Sequence, residues 1–129
     1  MVMSRVLGQP SQANTYIIIL ASSEQGVDLA ITTGTHRFYV YFPSGAGRTV
    51  RAFWASVGTA PAGQAINLRV NRNGSSMATF SIAAAANTSG RSAQNTRLTS
   101  GDYFTVDITQ VGSTTVGRDL VVAMDLESS

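Results

Sequence analysis

Residues 65–82 read AINLRVNRNGSSMATFSI, and this stretch decides which architecture the chain can adopt. Every second residue from Ile66 to Val70 is apolar, which is the period of a β-strand with one face in a core. The alternation stops at Asn73-Gly74, and both residues tolerate the positive φ that a type I′ turn requires. A second strand-like run follows directly, so the sequence predicts a tight β-hairpin.

The same alternation recurs on both sides of this hairpin. Turn-forming stretches at residues 43–47, 58–63, 100–102 and 112–117 separate the alternating runs. No stretch shows a helical apolar stripe bounded by capping residues. We therefore predict strands near residues 15–20, 27–33, 36–42, 49–57, 65–71, 77–82, 95–99, 103–111 and 119–126.

This pattern predicts an all-β protein, an antiparallel β-sandwich or jelly-roll-like fold with about eight or nine short strands. Residues 15–129 are expected to form one domain, and residues 83–95 to cross from one sheet to the other as a loop. Residues 1–14 are predicted to be an extended arm that carries the apolar pair Val6 and Leu7. Such an arm can add to a neighbouring subunit's sheet, or it can form the first edge strand of its own sheet.

Composition excludes several classes of function. The chain has 129 residues, no cysteine and a single histidine, so disulfides, thiolate metal sites and histidine clusters are not expected. All nine basic residues are scattered arginines and the net charge is only +2, which does not predict a nucleic-acid partner. The apolar runs are too short to cross a bilayer as a helix, so no membrane partner is expected.

Candidate catalytic residues form no convincing set. His36 is the only histidine, and the sequence contains no G-x-S-x-G nucleophile motif that would accompany it. Asp107 is expected to be solvated or paired across strands. Asp102 follows a Ser-Gly turn and is expected to cap it. We expect no catalytic residue, cofactor or metal site, and we predict that the protein is not an enzyme.

The aromatic residues suggest a binding surface. Residues 38–42 and 51–57 are apolar on both strand faces, and such strands are covered on both faces. A subunit interface is the favoured interpretation, most simply in a homotrimer, and core packing or sugar stacking are the alternatives. Arg37, Arg51, Arg69 and Arg72 are expected to form interface contacts or cross-strand ion pairs. The candidate interface residues are Val6, Leu7, Tyr39, Tyr41, Arg51, Phe53, Trp54 and Arg69.

Several motifs occur in a characteristic order along the chain. VGTAPAG at residues 57–63 is followed by NRNG at 71–74, GD at 101–102, VDITQVGS at 106–113 and GRDL at 117–120. This order resembles a β-sandwich module of tailed-bacteriophage structural proteins, in which the corresponding motifs are VGTAPTG, NKNG, GD, VDVDQVGST and G-x-DL. The resemblance covers residues 36–126, and its motif residues belong to turns and strands.

The resemblance implies a non-enzymatic virion protein assembled in the host cytoplasm. We expect a free-standing capsid decoration (cement) protein that binds the major capsid protein and stabilises the assembled shell. A tail, baseplate or fibre component is one alternative. A carbohydrate-binding, receptor-binding module that uses Tyr39, Tyr41 or Trp54 is the other. No catalytic residue is implied.

Overall fold

The computed structural model describes residues 14–33, 38–45 and 47–128. These ranges contain strands and turns, and no helix that could span a membrane occurs in them. The predicted all-β class is therefore confirmed. The eight strands are β1 (Asn14–Ser22), β2 (Tyr39–Tyr41), β3 (Arg48–Ser56), β4 (Ile66–Arg72), β5 (Ser75–Ile82), β6 (Ser92–Arg97), β7 (Tyr103–Val111) and β8 (Val121–Ser128).

The strands form two antiparallel four-stranded sheets. Sheet 1 has the order β1-β8-β3-β6 and sheet 2 has the order β2-β7-β4-β5. Strands from the two halves of the chain pair from the ends towards the middle: β1 with β8, β2 with β7, β3 with β6, and β4 with β5. The chain is thus one long hairpin rolled into a sandwich, and β3–β8 and β4–β7 pairing completes the sheets. This is the jelly-roll arrangement.

The predicted turn lies at the tip of this rolled hairpin. Asn73 and Gly74 have φ values of 53° and 85°, and Arg72 pairs directly with Ser75 across the turn. The Asn73 backbone N–H donates to the Tyr103 carbonyl oxygen at 2.9 Å, and the Tyr103 N–H donates to Asn73 Oδ1 at 3.0 Å. The turn is therefore held by the start of β7 as well as by its own hairpin.

The core lies between the two sheets and is built from alternate residues of their strands. Phe53 of β3 stacks on Phe80 of β5 with ring centroids 6.3 Å apart, which joins the sheets. Burial of each such large apolar side chain stabilises the fold by about 1.5–3 kcal/mol. The largest fully buried side chains also include Phe104, Ile66, Leu68, Ile82, Ile108, Leu120, Met124 and Leu126.

The strand predicted at residues 27–33 is wrong. This segment makes only isolated bridges, from Asp28 to Arg118 and from Thr32 to Ile108. The Leu29 N–H donates to Gly117 in the β7–β8 connection, and Thr32 exchanges backbone hydrogen bonds with Ile108 of β7. Residues 27–33 therefore pair with no single strand for more than one residue. Leu29 is nevertheless buried in the core, which accounts for the apolar alternation in the sequence.

Other strand boundaries move for local reasons. The last strand begins at Val121 instead of residue 119, and Asp119 has a φ of 58°, which is incompatible with a strand. The crossing from sheet 2 to sheet 1 after β5 is confirmed, but β6 already begins at Ser92. Its sequence, SAQNTR, has no apolar alternation that could reveal it. The predicted arm, with Val6 and Leu7, lies almost wholly outside the described residues, as do His36 and Arg37.

A buried carboxylate closes the end of the sandwich near the hairpin tip. Asp102 is 3% exposed and accepts hydrogen bonds from Arg72 Nη2 (2.6 Å), Asn73 Nδ2 (2.8 Å) and the Thr99 backbone N–H (2.8 Å). The predicted turn-capping role is confirmed. Burial raises the pKa of Asp102, but these hydrogen bonds and the Arg72 charge outweigh it, so the pKa lies below its usual value of 3.8.

This geometry predicts an acid-sensitive fold. Because the folded pKa is the lower one, the stability that Asp102 contributes is present above pH 3.8 and is lost as the pH falls through the folded value. Asp102→Asn should lower the free energy of unfolding at pH 7 by about 2 kcal/mol, since Arg72 loses its buried partner. Urea titrations at pH 7 and pH 3 should also show a smaller pH effect in the variant than in the unaltered protein.

Asp28→Asn is the matched control. Asp28 pairs with Arg118 at 2.6 Å, but both side chains are about half exposed, so the loss should stay below about 1 kcal/mol. Equal losses for Asp28→Asn and Asp102→Asn would contradict the assignment of Asp102 as the buried anchor of this end of the sandwich.

Candidate binding surfaces on the two outer faces

Strand β1 forms an exposed apolar edge on sheet 1. Ile17 and Ile19 pair with Asp125 and Ala123 of β8, on the face opposite the buried Met124. They are 60% and 49% exposed. We call Ile17, Ile19 and the outer edge of β1 the β1 surface.

In the part of the chain that the structure describes, the β1 edge has little of the protection that edge strands usually have. Natural edge strands are commonly blunted by charged side chains, proline, bulges or short length. β1 is nine residues long, reads NTYIIILAS and contains neither a charge nor proline. Its one irregularity, between Ile19 and Ala21, lies towards its end. The long apolar edge is therefore suited to contact with another chain.

A bulge in β3 decides which aromatic residue faces outward. The register shifts between Val50 and Ala52, so Val50 and Phe53 both point into the core although they are three residues apart. Phe53 is fully buried and does not belong to an outer surface, so its place among the candidate interface residues is wrong. Trp54 lies on the outer face instead and is half-buried.

Polar contacts hold Trp54 in place. Its Nε1–H donates to Asp125 Oδ1 at 2.9 Å, and Arg91 Nη2 donates to Asp125 Oδ2 at 2.7 Å. In the register, Trp54 pairs with Ala123, which pairs in turn with Ile19. The indole therefore continues the apolar row that starts at the β1 surface.

Three of the four arginines expected to form interface contacts or ion pairs do form ion pairs, and the fourth, Arg37, lies outside the described residues. Arg51 in the β3 bulge contacts Glu127 of β8 at 2.7 Å and donates from Nη1 to Asn95 of β6 at 2.7 Å. Arg72 and Arg69 pair with Asp102 and Asp107, respectively. Arg51 thus ties together three strands of sheet 1 at its outer face.

Sheet 2 carries a different outer face, with three tyrosines at one end. Tyr39 and Tyr41 of β2 are 46% and 53% exposed. The Tyr39 ring stacks on Tyr103 of β7, with centroids 5.2 Å apart and an interplanar angle of 28°. Tyr41 pairs directly with Tyr103 in the β2–β7 register. We call Tyr39, Tyr41 and Tyr103 the tyrosine platform.

An ion pair between a buried aspartate and a partly exposed arginine lies at the centre of the same face. Asp107 of β7 is 2% exposed, and its Oδ2 accepts from Arg69 Nε (3.0 Å) and Nη2 (2.6 Å) of β4. Asn71 Nδ2 donates to the same oxygen at 3.1 Å and to Thr105 Oγ1 at 3.2 Å. The expectation that Asp107 pairs across strands is confirmed, and within this pair the two charges compensate each other.

A shallow cleft of about 340 Å³ opens beside this ion pair. Apart from the apolar Leu68 and Phe80, the residues that line it have hydroxyl, amide or guanidinium side chains. The Ser81 hydroxyl donates to Asn67 Oδ1 at 2.7 Å, which joins β5 to β4 across the cleft. The cleft is lined by Asn67, Leu68, Arg69, Thr79, Phe80, Ser81 and Thr109.

Sequence reasoning missed this cleft. Its polar residues come from three strands, and each one looks like an ordinary solvent-facing position in its own strand. Only the β5-β4-β7 register brings Thr79, Arg69 and Asp107 into one row. Within residues 14–33, 38–45 and 47–128, no group of three or more acidic or histidine side chains is placed to hold a metal ion.

Comparison of the chain with protein-family models, with curated proteins and with solved structures gives no match.

We expect the removal of Arg69 to lower the free energy of unfolding more than the removal of Arg91. Arg69→Met should lower the free energy of unfolding by about 2–3 kcal/mol, because it removes the Arg69 cation and its two hydrogen bonds from a buried carboxylate. Arg91→Met removes a similar contact to Asp125, but Arg91 is 63% exposed, so its loss should stay below about 1 kcal/mol. Chemical denaturation of both variants measures the difference, and similar losses would show that Asp107 is not held by Arg69.

Proposed function

We propose that this protein is a non-enzymatic subunit of a bacteriophage virion, and specifically a decoration (cement) protein that stabilises the assembled capsid shell. The observation that carries the proposal is the β1 surface. Ile17 and Ile19 project from an uncharged edge strand, and the edge can accept a further strand or an apolar face of a neighbour. Such a surface suits a protein whose task is to adhere to other subunits.

Two further observations support the proposal. The phage-module motifs fall on the turns and strands that build the sandwich, for example NRNG at the β4–β5 turn and GD before β7. The jelly roll is also an architecture of viral capsid domains. It is shared with lectin domains, however, so the fold supports an assembly role only by analogy.

The mechanism follows from linkage. A protein that binds the assembled shell and not its separated subunits shifts the equilibrium towards the shell by the free energy of that binding. Contacts that span a boundary between capsid subunits supply this free energy through buried apolar area. In the proposal, the β1 surface and Trp54 make these contacts, and a homotrimer lets one decoration unit reach several capsid subunits at once.

The β1 surface can be tested by charge insertion. The double variant Ile17→Lys, Ile19→Lys should keep its fold, because both side chains point away from the core, while shell binding falls at least tenfold. Binding is measured by cosedimentation with heads of the encoding phage that lack this protein. Heads incubated with the double variant should release their DNA at a lower temperature than heads incubated with the unaltered protein.

Val27→Lys provides the matched control. Val27 is an exposed aliphatic residue of the β1–β2 connection, outside the β1 surface, and its replacement should leave cosedimentation unchanged. Unaltered binding by the double variant would overturn the role of the β1 surface. Absence of the protein from purified particles, measured by mass spectrometry, would overturn the virion assignment.

A further inference from the structure

We infer that the outer face of sheet 2 is a binding site for a neutral oligosaccharide, which rests one ring on the tyrosine platform and extends along the row of polar side chains into the cleft. The inference concerns the face remote from the β1 surface and does not depend on the virion proposal. This sheet face combines exposed aromatic rings, a fixed ion pair and a polar cleft.

The three features are continuous along the sheet. Tyr39 pairs with Thr105, which pairs with Asn71, so the tyrosine platform and the Asp107 network share a row. Arg69 belongs both to that network and to the cleft wall. From Asn71 to Asn67 the strand advances roughly 13 Å at about 3.3 Å per residue. The face therefore offers a track longer than a single sugar ring.

The tyrosines supply the stacking surface. A sugar ring has an apolar face of C–H groups, and tyrosine combines an apolar ring with a polar hydroxyl. Tyr39 and Tyr41 are about half exposed on one side of the sheet, and stacking on Tyr103 fixes the orientation of the Tyr39 ring. A surface that is already ordered loses little conformational entropy when a ligand binds.

The polar groups supply directional contacts to hydroxyls. Arg69 is held by Asp107 through Nε and Nη2, and its side chain remains 40% exposed. Hydroxyl and amide groups of Thr79, Ser81 and Asn67 line the cleft beside it. Ligand sites characteristically combine a few such oriented polar groups with an apolar contact surface.

Charge selects the class of saccharide. Among the residues that the structure describes, the charge of Arg69 is compensated by Asp107 at 2.6 Å, so Arg69 does not by itself favour a carboxylated or sulfated sugar. The other groups that line the cleft are uncharged. We therefore assign the site to neutral rather than acidic glycans.

The test is a titration of the isolated protein by heteronuclear NMR. Linear neutral hexasaccharides of α-glucose, β-glucose, mannose and N-acetylglucosamine serve as probes, up to millimolar concentration, with sialyllactose as the acidic probe. At least one neutral probe should shift the amide signals of β2, β4 and β7 together. Sialyllactose should bind at least tenfold more weakly than that probe.

Variants locate the site. Tyr39→Ala combined with Tyr41→Ala should weaken binding at least tenfold, and the conservative change Thr79→Val should weaken it by a smaller factor at unchanged stability. Tyr16→Ala is the matched control, because Tyr16 is an equally exposed tyrosine on β1 of the other sheet. It should leave the dissociation constant unchanged, as should the Ile17→Lys, Ile19→Lys variant.

Three outcomes would overturn the inference: no shift with any neutral probe, equal weakening by Tyr16→Ala, or stronger binding of sialyllactose. Shell binding is measured separately, by cosedimentation with particles and with the Ile17→Lys, Ile19→Lys variant. A failure of saccharide binding can therefore be told apart from a failure of shell binding. The thermal midpoint of every variant is compared with that of the unaltered protein. An unchanged midpoint shows that weaker binding reflects a lost contact and not an unfolded chain.

Discussion

The tight turn at Asn73-Gly74 is the constraint on which the rest of the molecule depends. The strand pairs are nested around it in the chain, with β4–β5 innermost and β1–β8 outermost. The turn needs positive φ at two successive residues, which Asn and Gly adopt at low cost. Asn73 also forms hydrogen bonds with Asp102 and Tyr103, at the start of β7. The turn therefore fixes contacts between residues that are far apart in the chain.

A second constraint is the bulge at Arg51, which controls the chemistry of sheet 1. One extra residue reverses the inward and outward positions for the rest of β3, so Phe53 enters the core and Trp54 leaves it. The same residue gives Arg51 its position between Glu127 and Asn95. A single local irregularity thus determines both the central stack on Phe80 and the apolar row that reaches the β1 surface.

The two outer faces differ in the kind of contact they favour. Sheet 1 presents aliphatic side chains at an uncharged edge, which suits burial against another protein. Sheet 2 presents tyrosines beside a compensated ion pair and a polar cleft, which suits a hydroxyl-rich ligand. One sandwich can therefore adhere through one face while the other remains open to solvent, and the proposals for the two faces can succeed or fail separately.

Much of the fold could be predicted from residues alone, because strand period and turn chemistry are local properties. The Asn73-Gly74 hairpin, the all-β class and most strands follow from alternation over a few neighbouring residues. β6 was predicted near residues 95–99 but spans Ser92–Arg97, because its alternation in burial is carried by polar residues that do not mark where it begins. The segment at 27–33 was misleading because Leu29 is buried without a strand partner. The cross-strand role of Arg69 and Asp107 was expected, but the alignment of Arg69 with Thr79, and of Tyr39 with Thr105 and Asn71, depends on register. Register, the β3 bulge and the pairing of distant strands arise only when the whole core is packed, since each is selected by contacts between residues far apart in the chain.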